Sequence, residues 1–313
     1  MTTILGAAAV FLVLMVVLRV MGKRELSQMT AFELVMLFVI GDIVEELRAA
    51  VADLPDDQRI DAAVAWMRAE YSRPIDLATD ELIINRLIRV SNDRWLWYAR
   101  AHHAVIDGYG ASILQRRVAE LYTALATGAE APPLKPAPLA PEGFVTAEEK
   151  YFASARADGD AEYWAGVVAT LPEAAGLSRT VAAPSTLNRR RNGVPSAEAG
   201  ARLEAAAERL GTNRTGLVIA AFGAYVAAIS GREQISVSVP VAARTTAALR
   251  GSTGMTANVL PVPVRAGVGA TVSDIIDGTG LDMRNGLRHQ LYPAARMEAP
   301  TLREGVVGSI FGD

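Results

Sequence analysis

No cysteine occurs anywhere in the 313-residue chain. That excludes disulfides, zinc–thiolate centres and thiol nucleophiles in one step. Histidine is nearly as scarce: His102, His103 and His289 are the only three. A histidine-rich metal cluster is therefore not expected, and no metal site is assigned. Charge of one sign is also lacking, with 31 Lys and Arg against 34 Asp and Glu and a formal net charge of −3. That balance argues against nucleic-acid binding and excludes a polyacidic tail. What the chain does have is apolar residues, 51% of the total, enough for a sizeable core and too many for a disordered chain. The length fits about two domains. Mean hydropathy is +0.21, high for a soluble protein, and the excess is local.

That local excess is N-terminal. Residues 1–18 carry no charge, and residues 4–18 are almost wholly apolar. At 1.5 Å per residue this run just reaches the minimum for a membrane span, roughly 17 residues. Arg19, Lys23 and Arg24 follow the run, whereas a cleavable signal peptide has its positive charges before it. The positive-inside rule then leaves the N-terminus outside and the main body in the cytoplasm, or the whole chain cytoplasmic if the segment does not insert. A second apolar stretch, residues 34–40, is too short to span and reads as interfacial or re-entrant. The sequence LRVMGKRELSQMTAFELVMLFVIGDIV, residues 18–44, resembles the opening of YetF-type bacterial membrane proteins, and the match stops near Val44.

From Asp53 the pattern turns globular. Residues 59–71 predict a helix, and residues 82–90 and 95–101 predict strands. Trp95, Trp97 and Ala99 share one strand face, read as core rather than a ligand stack. Ile113, Leu114, Val118, Leu121, Tyr122 and Leu125 mark a helical face ended by Gly128. Five prolines within residues 131–141 predict an extended connector. Residues 146–168 predict one helix, residues 203–210 a second closed by Gly211, and residues 217–229 a third buried on all sides. Residues 234–241 and 255–264 predict strands, the latter at an edge or bulged because of Pro261 and Pro263. Residues 272–289 predict a helix despite Gly278, Gly280 and Gly286. Asn213 reads as a helix N-cap rather than a glycosylation acceptor. Arg189–Arg191 reads as a solvated basic loop, with an acidic carrier or a phosphate as the alternative.

The sharpest chemical signal is His102-His103-Ala104-Val105-Ile106-Asp107-Gly108, between a predicted strand and a predicted helix. Imidazole titrates close to neutrality, so His103 is the candidate base or positioning group. Asp107 lies four residues on, able to brace the turn or to pair with an arginine. Gly108 admits a close approach of backbone or ligand.

HHAVIDGYG resembles the HHxxxDG signature of the condensation domains of nonribosomal peptide synthetases, shared in shorter form with chloramphenicol acetyltransferase. The flanks resemble condensation domains too. They are WLWYARAHHAVIDGYGASILQRRVAELYTAL, the Tyr163-Trp164 pair, PVAARTTAALRGSTGMTANVLPVPVRA and RHQLYP at residues 288–293. The likeness runs from about Asp53 to Pro293, with four motifs in order.

The resemblance implies an α/β (α+β) fold: a two-lobed chloramphenicol-acetyltransferase-like condensation fold, incomplete, preceded by an N-terminal transmembrane helix. Its divisions would be a membrane segment at 1–45, a partial N-lobe at 46–175 and a partial C-lobe at 176–313. His103 would match the catalytic position and His102 the first, more structural histidine. Asp107 would order the site and Gly108 would line the pantetheine tunnel. Arg244 and Asn258 would be supporting residues, Arg244 as the partner of Asp107, with a reciprocal swap of the two partly restoring stability. The implied function is amide-bond formation between carrier-bound acyl and aminoacyl thioesters, with no intrinsic cofactor. The substrates would ride on the 4'-phosphopantetheine of peptidyl or acyl carrier proteins served by adenylation modules. No acyl-enzyme is needed, in keeping with the absence of Cys and of a Gly-x-Ser-x-Gly elbow. Two other readings stand beside this one. The chain would be a non-catalytic condensation-like module tethered to a membrane, or a small YetF-type membrane protein with an incidental tail.

Overall fold

The computed structural model describes residues 54–91, 94–130, 133, 138–172 and 193–297. The expected membrane segment at residues 1–45 and the Arg189–Arg191 loop lie outside the described residues. Among those described, no helix is long and apolar enough to cross a membrane. The chain divides into two compact units, residues 1–105 and 106–313.

In the first unit, helix α1 (Asp56–Tyr71) enters after Pro55, and Arg59 Nε ties it down by donating to the Leu54 carbonyl at 2.7 Å. Strands β1 (Ile83–Arg89) and β2 (Trp95–Ala101) then form an antiparallel hairpin with Leu87 opposite Trp97 and Ile84 opposite Arg100. Side chains alternate along β2, so Leu96 and Tyr98 face one way and Trp95 and Trp97 the other. The first face meets α1: Ala63, Ile88, Val90 and Tyr98 form the core, packed by Ile60, Trp66, Met67 and Leu96. Trp66 meets Tyr98 edge-on at 5.4 Å. The reading of Trp95 and Trp97 as core is therefore corrected. They share a face as expected, but it is the outer one, and Trp97 Nε1 donates to Asn85 Oδ1 there.

The second unit opens with α2 (Gly108–Thr127), capped by Asp107 at one end and by Gly128 at φ +68° at the other. The single helix expected over 146–168 is two, α3 (Pro141–Phe152) and α4 (Ala155–Val168), parted at Ala153-Ser154. Helices α5 (Ala197–Arg209) and α6 (Arg214–Ser230) follow, the second capped by Asn213 Oδ1, which accepts from Gly216 N at 2.9 Å. Strand β3 (Gln234–Val241), the short helix α7 (Ala247–Arg250), strand β4 (Asn258–Arg265) and helix α8 (Val272–Arg288) complete it. A capping box starts α8, with Thr271 and Asp274 satisfying each other's exposed N–H groups. That anchoring, and an apolar side on the sheet, sustain the helix through its three glycines.

Strands β3 and β4 pair antiparallel, with Ser236 opposite Pro263 and Ser238 opposite Pro261. One core cluster joins Val226 and Ala227 of α6 to Ile235 and Val264. Helix α6 comes so close to β4 that a Cβ at Gly223 would lie 2.6 Å from a Val264 methyl. A second cluster gathers Trp164, Leu260 and Met297. Helix α6 is not buried all round as expected: Val218, Phe222, Tyr225 and Ile229 are each half-exposed on its far side.

Candidate active site

The motif begins where β2 ends. His102 N donates to the Leu82 carbonyl at 2.8 Å, extending the ladder by one residue, and Val105 N then closes a turn onto the His102 carbonyl at 3.1 Å. Ala104 N donates to His102 Nδ1 at 3.1 Å, which makes Nδ1 an acceptor. His102 thus braces the turn that carries its neighbour. His103 is exposed and makes no hydrogen bond among the described residues, so both its ring nitrogens are available.

The second unit holds the other end of the motif. Asp107 caps α2 by accepting from Gly110 N at 2.7 Å. Its carboxylate also takes the guanidinium of Arg244 in parallel, Nη1 to Oδ2 at 2.7 Å and Nη2 to Oδ1 at 2.9 Å. The N–H groups of Thr256 and Ala257 each donate to Oδ2 at 2.9 Å. Both charged side chains are 2% exposed. Burial alone would raise the Asp107 pKa, but the Arg244 hydrogen bonds and the N–H groups of Gly110 and Thr256 outweigh it and hold the carboxyl at about 2. Asp107 is a fixed anion at neutral pH, and both roles open to it in the sequence are filled at once.

Arg244 is aimed by its own surroundings. Ala243 before it holds φ +49°, a left-handed conformation rare for alanine and kept only where the surroundings impose it. Nη2 also donates to the Gly254 carbonyl at 2.8 Å, and the guanidinium lies 4.7 Å over the Tyr109 ring. The loop between β3 and β4 is thereby pinned to the start of α2.

The tight glycine is not Gly108. A Cβ there would meet nothing within 4 Å, whereas one at Gly110 would collide with the Thr253 carbonyl. The second glycine of Asp-Gly-Tyr-Gly was the signal for this close approach, and sequence reasoning passed over it. It also missed the amides of Thr256 and Ala257, which leave no trace in residue type.

Asn258 serves a different part of the unit. Its Nδ2 donates to the carbonyls of Gln290 and Tyr292, at 2.9 and 2.6 Å, and its Oδ1 accepts from Ala294 N at 3.0 Å. With donors and acceptor all engaged, Asn258 clips the chain after α8 onto β4. His289 is held beside it: Nδ1 lies 2.7 Å from Asp160 Oδ1 and the ring stacks on Tyr163 at 3.9 Å. Tyr151 donates to the other Asp160 oxygen, and burial together with that bond raises the Tyr151 pKa.

This architecture and this turn define a class. The family model described as "Condensation domain" matches residues 41–305, and the chain belongs to that family. A model described as "YetF N-terminal transmembrane domain" matches residues 2–47. Among curated relatives, an isonitrile lipopeptide synthase of Streptomyces coeruleorubidus is 32% identical over 74% of this chain and 16% of its own length. A dimodular nonribosomal peptide synthase of Bacillus subtilis (strain 168) is 29% identical over 77% of this chain and 10% of its own. Among solved structures, the starter condensation domain of rhizomide synthetase, in complex with C8-CoA and Leu-SNAC, superposes with a TM-score of 0.69. It shares 28% identity over 80% of this chain and 55% of that one. The first condensation domain of the calcium-dependent antibiotic synthetase gives a TM-score of 0.68 and 30% identity, over 79% of this chain and 57% of that one. The chain thus spans little more than half of these solved domains and under a fifth of these curated relatives.

Proposed function

We propose that the chain is a condensation-type acyltransferase of nonribosomal peptide synthesis, joining carrier-bound acyl and aminoacyl groups through an amide bond. The observation that carries the reading is the carboxylate of Asp107. It is held by Arg244, Gly110, Thr256 and Ala257, and four residues before it in the chain stands His103, exposed and without a hydrogen bond among the described residues.

In the proposed reaction the amine nitrogen of the acceptor attacks the carbonyl carbon of the donor thioester. A C–N bond forms, the C–S bond breaks and the carrier thiol leaves, taking up the proton the amine gives up. His103 receives that proton in transit or holds the neutral amine in line. His102 braces the turn that carries His103, Asp107 and Gly108 start α2, Arg244 holds Asp107, and Asn258 holds the chain after α8 on β4. Both substrates would arrive on the 4'-phosphopantetheine arms of carrier proteins charged by adenylation modules. The lobes would divide at about 175, as 46–175 and 176–313, each only part of a full condensation lobe. Residues 1–45 would form an N-terminal transmembrane helix with the main body cytoplasmic, a reading supported by the match over 2–47.

The test is a carrier-to-carrier condensation assay with the full-length chain, one carrier acylated and the other aminoacylated. Amide product that His103→Ala abolishes without moving the thermal melt supports the reading. No product from the parent chain, despite carrier binding, replaces it with the non-catalytic tethered module.

A further inference from the structure

The far side of α6 carries an apolar seam left half open to water. No charged residue occurs from Thr215 to Ser230, so the helix has no polar face to turn outward. Gly223, Val226 and Ala227 take the side against the sheet. Val218, Phe222, Tyr225 and Ile229 lie on the other side, each between 50% and 58% exposed. Successive members of this set are 4, 3 and 4 residues apart. That alternation is the a and d pattern of a coiled-coil seam, with Val218 and Tyr225 at d and Phe222 and Ile229 at a. Ala221 and Ala228, both exposed, flank the seam and leave room for a second backbone. A single exposed apolar side chain needs no explanation, whereas a contiguous line over three turns marks an interaction face.

We propose that this seam binds the same seam of a second copy of the chain, with the two α6 helices antiparallel. Reversing one helix sets a positions against d positions. A two-fold axis midway between Gly223 and Ala224 places Val218 against Ile229 and Phe222 against Tyr225. Each contact then occurs twice, as a self-complementary interface requires. The charges agree with this direction. Arg214 stands one turn before Val218, and Glu233 is exposed just past the end of the helix, with no ion-pair partner among the described residues. Antiparallel docking brings the Arg214 end of one copy to the Glu233 end of the other, whereas a parallel pair would set Arg214 against Arg214. Glu204 steadies Arg214 there, 3.0 Å from its Nη1. The seam offers about 400–500 Å² per copy, roughly half of what each partner gives a standard interface, so the pair is a micromolar, concentration-dependent one.

The experiment uses the full-length chain in detergent micelles. The chain has no cysteine, so an introduced thiol is the only one present. Val218→Cys and Ile229→Cys proteins are oxidised separately and as a mixture. The mixture is expected to give a covalent dimer on a denaturing gel. Either variant alone should not, because in the antiparallel pair the two copies of residue 218 stand about 16 Å apart along the helix axis. In sedimentation the parent is expected to dimerise at micromolar concentration. Phe222→Glu should raise the dissociation constant by about tenfold or more while leaving the melt of the dilute chain unchanged. Val218→Cys cross-linking to itself as readily as to Ile229→Cys overturns the antiparallel seam. A parent that stays monomeric throughout the micromolar range overturns the second copy as occupant. A maleimide on Phe222→Cys then shows what replaces it. A thiol shielded until denaturation means that a segment of the same chain covers the seam, and a reactive thiol means that the seam stands open. Should Phe222→Glu fail to fold, the cross-linking decides alone.

Discussion

Arg244 meets both carboxylate oxygens of Asp107 across 137 residues of chain, with each side chain almost wholly shielded from water. The carboxylate receives backbone N–H groups on its remaining sides, and the guanidinium rests on backbone carbonyls. That polarity has consequences a simple ion pair would not have. Arg244→Ala would leave a buried anion short of its strongest donors, at an expected cost of about 3–5 kcal/mol. A reciprocal swap offers a plausible rescue when only the sequence is considered. The surroundings rule against it. An arginine at 107 would face the N–H groups of Gly110, Thr256 and Ala257, and an aspartate at 244 would face the carbonyls of Ala242 and Gly254. The doubly swapped chain is expected to be no more stable than either single swap in chemical denaturation. Recovery of parental stability would sink this view of the site.

The same pair sets an acid limit. The Asp107 pKa is lowered from 3.8 to about 2, so its stabilising contribution is fully present above pH 3.8 and drains away as pH falls through about 2. Unfolding measured from pH 5 down to pH 2 should steepen below pH 4 in the parent chain. Asp107→Asn, with no proton to take up there, should lack that component.

Two glycines of one motif should respond oppositely. Gly110→Ala drives a methyl into the Thr253 carbonyl and is expected to cost about 1–3 kcal/mol in a thermal or chemical melt. Gly108→Ala meets open space at the first turn of a helix and should leave the melt unchanged or slightly raised. If Gly108 lines the path of a pantetheine arm, that variant loses condensation rate while keeping its fold.

The two histidines should separate likewise. His103→Ala removes no hydrogen bond among the described residues, so its melting temperature should match the parent's while amide formation fails. His102→Ala gives up the bond from Ala104 N and should lose at most about 1 kcal/mol of stability.

Asn258 offers a test by isosteric change. Asn258→Asp sets a carboxylate oxygen against the carbonyls of Gln290 and Tyr292, replacing donors with repulsion. It should destabilise more than Asn258→Ala, itself expected to cost about 1–3 kcal/mol. Equal effects in a chemical melt would mean that the clip contributes little.

Much of this fold could be read locally. The strands at 95–101 and 234–241 appear with the expected limits, and Asn213, Gly128 and Gly211 end or begin helices where their chemistry suggested. These signals act over a few residues: alternation, a cap, a left-handed turn. The errors share a different cause. Alternation put Trp95 and Trp97 on one face but does not say on which side α1 would lie. An all-apolar run in α6 read as buried, yet the sheet covers only the side of Gly223, Val226 and Ala227.

By itself the sequence determined the order of four motifs, the turn that presents His103, and hence the family. Those properties reside in residue type and short spacing, and they persist wherever the chain travels. Only the tertiary structure decided which donors close around Asp107, that Gly110 rather than Gly108 is the crowded position, and that the far side of α6 stays half-exposed. Each of these depends on segments far apart in sequence arriving together. Backbone amides and empty space, which carry no letter in the sequence, then decide the energetics.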